Sequence, residues 1–89
     1  MKIVITVLGR DRVGIIAAVS GALAAAGVNI LDISQTILQD YFTMIMIAQM
    51  PESGLGISEL AETLDDVGDR LGVQIRVQAE EIFVAMHRV

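Results

Sequence analysis

Two runs of this chain, Lys2 to Leu8 (KIVITVL) and Tyr41 to Met50 (YFTMIMIAQM), are apolar on both alternating faces. In the first, Ile3, Ile5 and Val7 oppose Val4 and Leu8. In the second, Phe42, Met44, Met46 and Ala48 oppose Ile45 and Ile47. Strand side chains change face at every residue, so such runs are covered on both sides and belong at the centre of a sheet. Two further strand-like runs behave differently. Val28 to Gln39 (VNILDISQTILQ) is interrupted by Asn29, Asp32, Ser34, Gln35, Thr36 and Gln39. Polar residues on both faces suit an edge strand, or one with a bulge near Leu31. Val73 to Gln78 (VQIRVQ) alternates cleanly, as a half-exposed edge strand does. Asp40 is expected to make a tight reversal between the second and third strands.

Between the strands lie two helix-like runs. In Ile15 to Ala26, Ile16, Val19, Leu23 and Ala26 recur at helical spacing among many alanines, and Gly27 is a natural stop. Gly21 within it costs up to roughly 1 kcal/mol against alanine, which close packing on the sheet is expected to offset. After the loop Pro51 to Gly56, Ser58 is a candidate cap for a second helix with an apolar stripe of Leu60, Leu64, Val67 and Leu71. Glu59, Glu62, Asp65, Asp66 and Asp69 line its solvent side, and Gly72 ends it.

The order β-α-β-β-α-β predicts an α+β, ferredoxin-like sandwich: an antiparallel four-stranded sheet of order 4-1-3-2 with two helices on one face. The two doubly apolar runs then fall on the central first and third strands, so pattern and topology agree. The face without helices needs partial cover. The tail, Ala79 to Val89 (AEEIFVAMHRV), is expected to supply it as a short third helix, on the domain itself or on a partner of a dimer. Ile82, Phe83, Met86 and Val89 share a helical face, Glu80 and Glu81 suit the helix start, and His87 and Arg88 its end. A fifth strand is the alternative, because Ile82-Phe83-Val84 is β-prone. The domain is expected over residues 1–78, with an extension over 79–89.

At 89 residues this is one small domain, burying only about 60–65% of its unfolded surface. Its 54% hydrophobic and 19% charged composition is apolar for a small monomer, which predicts surface buried against a partner. There is no cysteine, and the single histidine, His87, has no companion ligand, so no metal site and no cofactor is expected. The net charge of −5 and six scattered basic residues argue against nucleic acid. No apolar run reaches the roughly 20 residues of a membrane span. The start, directly on a strand pattern, is read as lacking a signal peptide, so a cytoplasmic location is expected. Asp65 and Asp66 are no catalytic pair, because adjacent helical residues diverge by about 100°. No nucleophile–base pair is visible, and the protein is expected not to be an enzyme.

The stretch Gly9-Arg10-Asp11-Arg12-Val13-Gly14-Ile15 joins the first strand to the first helix. A glycine-flanked turn there leaves unpaired backbone N–H groups at a helix start, where a carboxylate or another small anion can dock. Asp11 either caps the helix or orients a ligand. Gly14 either admits a ligand to the backbone or lets the helix sit close to the sheet. Arg10 and Arg12 either bind an anion or are solvated. Asn29, at a strand entrance, is a ligand donor or a turn residue.

With Leu8-Gly9-Arg10-Asp11-Arg12-Val13-Gly14-Ile15-Ile16 and Gly27-Val28-Asn29-Ile30, the chain resembles the ACT domain, the regulatory βαββαβ module of amino-acid metabolism. The likeness covers residues 1 to about 78 and is strongest to small stand-alone prokaryotic ACT proteins and to the ACT halves of the glycine-cleavage repressor. The ending Ile82-Phe83-Val84-Ala85-Met86-His87-Arg88 is similar to the tail of the stand-alone group. The resemblance implies side-by-side dimers, second strand to second strand, forming one eight-stranded sheet. It implies an amino-acid effector at that interface, touching Gly9, Arg10, Asp11, Arg12, Val13, Gly14 and Ile15 of the loop, and Asn29 and Ile30 of the second strand. Loop amides would take the ligand carboxylate, Asn29 would add a side-chain hydrogen bond, and edge carbonyls would take the amino group. Asp11 stands where amino-acid-binding members often carry asparagine, and Gly9 where some carry histidine. A carboxylate there repels a ligand carboxylate unless it caps the helix or faces an ammonium. The function expected is a non-catalytic regulatory module binding a small amino acid or related metabolite in a homodimer, possibly a tetramer. The alternative is a protein-interaction module with no ligand of its own.

Overall fold

The computed structural model describes residues 1–86 of the 89. Its elements are β1 (Lys2–Arg10), α1 (Ile15–Ala25), β2 (Asn29–Leu38), β3 (Tyr41–Gln49), α2 (Ile57–Leu71), β4 (Val73–Ala79) and α3 (Glu80–Met86). The sheet order is β2-β3-β1-β4, which is 4-1-3-2 counted from the other edge, and every pairing is antiparallel. The fold is thus the expected ferredoxin-like one, with a short C-terminal helix added.

Register assigns the faces. Ile3, Ile5 and Val7 of β1 pair with Ala48, Met46 and Met44 of β3 and with Ala79, Val77 and Ile75 of β4. Paired residues point the same way, so these rows make one apolar face. The helices press Val19 and Leu23 of α1, and Leu60, Leu64 and Val67 of α2, onto it. No polar or charged residue among those described is buried.

Several local expectations are revised. Gly56, not Ser58, caps α2: its N–H donates to Glu59 Oε1 at 3.4 Å, and its carbonyl accepts from Leu60 N–H at 3.2 Å. The core stripe of α1 runs through Ile15, Val19 and Leu23, while Ile16 is exposed. The helix starts at Ile15, and steps of four from there give the inward stripe. Gly21 is not held by close packing, since a Cβ there would meet nothing within 4 Å. Gly68 has that role instead: its Cβ would lie 2.6 Å from the Val73 carbonyl oxygen, so α2 seats tightly against β4.

β2 is an edge strand and does carry a bulge, with the register slipping between Ile30 and Asp32. One extra residue inverts which side chains face the helices. Before the slip Ile30 shares the face of Ala48. After it, Ile33, Gln35 and Ile37 share the face of Met46, Met44 and Phe42.

The tail is helical through Met86, where a fifth strand was the alternative. It lies against β1 and β4, and Gln78 Nε2 donates to Met86 Sδ at 3.3 Å. Val4, on the helix-free face, is accordingly buried, whereas Leu8 further along that face is 51% exposed. Phe83 is half-buried, but Ile82 and Met86 are exposed, so the expected common face divides. The expected roles of His87, Arg88 and Val89 lie outside the described residues.

Candidate functional site

The sheet end where β1 meets α1 gathers most of the expected site. β1 runs on to Arg10, so Gly9 and Arg10 are strand residues paired with Phe42 and Tyr41. Gly9 also pairs with Val73, and a Cβ on it would lie 2.6 Å from Val73 Cγ1 and 3.0 Å from Val73 Cα. Close approach of β1 and β4 demands that glycine. The loop proper is therefore Asp11 to Gly14.

Each loop residue has a definite environment. Asp11 N–H donates to the Asp40 carbonyl at 2.7 Å, tying the loop to the β2–β3 turn. Arg12 Nη1 donates to the Leu71 carbonyl at 3.0 Å, holding the last turn of α2. A cation at the carbonyl end of a helix is favoured by the dipole and satisfies an orphan acceptor. Val13 is 99% exposed. Gly14 is the N-cap of α1 at φ 95°, with nothing within 4 Å of where its Cβ would be. Its left-handed backbone, and not a close approach to the sheet, explains the glycine.

Asp11 consequently does not cap α1. The helix has no side-chain cap and no acidic residue in its first turn. The amides of Ile15, Ile16 and Ala17 have no carbonyl one turn back to bond, and the first such bond is Ala18 N–H to Gly14 O at 2.9 Å. Positive potential from the helix dipole adds to those donors.

Beside this helix start lies a cleft of about 230 Å³. Ile15, Ile16, Ile37 and Phe42 give it apolar walls, and Asp11 and Gln35 give it polar groups; Arg12, Gly14 and Ala17 complete it. The volume is below the roughly 300–1,000 Å³ of pockets for drug-sized ligands, which suits a small metabolite. Five of its residues, Ile16, Ala17, Gln35, Ile37 and Phe42, were not anticipated. Gln35 and Ile37 follow from the register of β2, but only once the bulge is placed.

Asn29 and Ile30 are elsewhere. Asn29 pairs with Gln49 at one end of β3, whereas the loop adjoins Tyr41 at the other. Eight strand steps separate these ends by about 26 Å. Ile30 is half-buried and packs on the core; Asn29 is exposed. Within one chain the two expected halves of the site do not meet. Among the described residues no group of acidic, histidine or cysteine side chains has metal-site geometry, and no helix is long and apolar enough to cross a membrane.

Comparison with known proteins adds to this geometry. A family model described as the ACT domain matches residues 1–78. A UPF0237 protein of Clostridium acetobutylicum is 53% identical over 89 residues, covering 100% of both chains. Among solved structures, an ACT domain protein from Streptococcus pneumoniae superposes with a TM-score of 0.82 at 42% identity over 93% of each chain. A putative glycine cleavage system transcriptional repressor superposes with a TM-score of 0.76 at 28% identity, covering 86% of this chain and 44% of that one.

Proposed function

This chain belongs to the ACT domain family, and on that premise we propose that it is a non-catalytic regulator binding a small amino acid or related metabolite between two copies of itself. The observation that carries the reading is the cleft between the α1 start and the bare edge of β2. That edge is ten residues long and exposes Leu31, Ile33, Ile37 and Leu38. A long, uncovered edge with unpaired backbone groups is a template for another strand. Antiparallel pairing of β2 with β2 of a second copy makes an eight-stranded sheet. It also carries the Asn29 end of each β2 toward the loop of the other chain, closing the 26 Å gap left within one chain.

Bound there, an amino acid presents its carboxylate to the amides of Ile15, Ile16 and Ala17, aided by the helix dipole. Asp11, not engaged as a cap, faces the ammonium, so the residue that would repel a lone anion suits a zwitterion. Gln35 and the second copy's Asn29 add hydrogen bonds, and Ile16, Ile37 and Phe42 enclose a small side chain. Gly9 supports the loop from within β1, Arg10 and Val13 flank it, and the second copy's Ile30 stands next to its Asn29. A ligand bridging two chains stabilises the pair, which converts metabolite concentration into assembly. A cytoplasmic location suits such a role.

Calorimetric titration of the purified chain with the twenty amino acids tests this. One or a few small amino acids are expected to release heat, and Asp11→Ala and Gln35→Ala are expected to weaken that binding tenfold or more (about 1.4 kcal/mol each). No heat from any amino acid, with the dimer demonstrated, would replace the reading with that of an interaction module lacking its own ligand.

A further inference from the structure

We infer that the open half of the helix-free sheet face is a docking surface for α3 of a second copy of this chain. That face is built from Val4, Thr6 and Leu8 of β1, Thr43, Ile45 and Ile47 of β3, and the even-numbered residues of β4. α3 covers the Val4 end only. The Leu8 end is a groove of about 330 Å³ lined by Thr6, Leu8, Thr43, Ile45, Gln74 and Arg76.

The occupant follows from α3 itself. After Glu80 and Glu81, five consecutive residues, Ile82 to Met86, are apolar, so the rest of the helix beyond its first two residues presents apolar side chains on every side. Such a helix is stable when buried on every side. Within one chain it is covered on one side: Phe83 is half-buried, whereas Ile82, Val84 and Met86 are exposed. The missing cover and the empty groove lie on the same face, at opposite ends. A two-fold rotation about an axis between two facing sheets, perpendicular to the strands, sets each α3 over the other chain's groove. Both helices then share one layer between the sheets, and one operation fills both vacancies, as an isologous interface requires. Charge agrees. By register the open half carries Arg10 and Arg76, while Lys2 and Asp32 lie toward the covered Val4 end, and the docking helix brings Glu80 and Glu81. This surface is separate from the β2 edge and does not depend on the proposed ligand; the two contacts together would give a tetramer.

Molar mass by light scattering, with circular dichroism to verify folding, tests it on the full chain. Expected are four chains per particle for the wild type, and two for Ile82→Glu and for Leu8→Glu, which place a charge in the dry contact. Arg76→Glu and Glu81→Arg alone each weaken association about tenfold or more by setting like charges face to face, and the double reversal restores it. Ile33→Lys at the β2 edge separates the two readings. If mass falls only with Ile33→Lys, the sheet-face proposal fails while the edge dimer stands. If it falls only with the face variants, the proposal stands and the edge dimer fails. A monomeric wild type, face variants at wild-type mass, or single reversals that the double does not rescue overturn the proposal.

Discussion

Asp11 and the glycines around it show how one residue type serves different physical ends. Gly9 is required by proximity, and Gly14 by a left-handed backbone. Gly9→Ala is therefore expected to destabilise by about 1–3 kcal/mol, because Val73 contributes backbone as well as side chain to the clash. Gly21→Ala is expected to do the reverse. Its Cβ would point into open space on an exposed helix surface, so urea denaturation should show a gain of about 0.5–1 kcal/mol. Asp11→Ala separates capping from recognition. Loss of an N-cap costs about 1 kcal/mol, but Asp11 caps nothing, so its removal is expected to change stability by less than about 0.5 kcal/mol while lowering ligand affinity. A denaturation midpoint displaced by a full cap's worth would contradict that placement. Gln39 sits in the β2–β3 turn at φ 56°. Gln39→Gly removes a left-handed side chain and should stabilise the turn by roughly 1 kcal/mol, measurable as a higher melting temperature.

At the scale of the element, β2 matters most. The slip between Ile30 and Asp32 turns Ile33, Gln35 and Ile37 toward the helix side, where Gln35 and Ile37 meet the start of α1. Without it the alternation begun at Ile30 would present Asp32, Ser34 and Thr36 there, and the cleft would have a polar wall. A lysine on an exposed edge discourages strand pairing. Ile33→Lys is accordingly expected to separate β2-paired copies and to abolish amino-acid binding with them, as followed by sedimentation and calorimetry. Retained binding in a separated chain would show the cleft to be sufficient alone. In α1, Leu23 is wholly buried between alanines, and Leu23→Ala is expected to cost about 2–5 kcal/mol.

Across the whole molecule, the domain buries one sheet face well and the other only at the Val4 end. A chain of 89 residues has a thin stability margin, so the surface that the proposed assembly covers would contribute to the folded state as well as to assembly. Its melting temperature is expected to rise with protein concentration and with a saturating ligand, the latter by up to about 2.7 kcal/mol of added stability at a hundredfold excess over Kd.

Periodicity was enough to identify the elements, the central position of β1 and β3, and the sheet order. Alternation and helical spacing are local consequences of burial, and doubly apolar strands have only one place in a four-stranded sheet. The residues of the loop, and its place between β1 and α1, were equally legible. The cleft was not. Its walls come from α1, β2 and β3, and which side chains of β2 join them depends on a bulge whose consequence is non-local. Nor could spacing reveal that Gly9 answers to Val73, that Arg12 reaches Leu71 or that Asp11 is excluded from the helix cap. Those outcomes depend on distances between segments far apart along the chain, which exist only once the sheet has closed and the helices have settled on it.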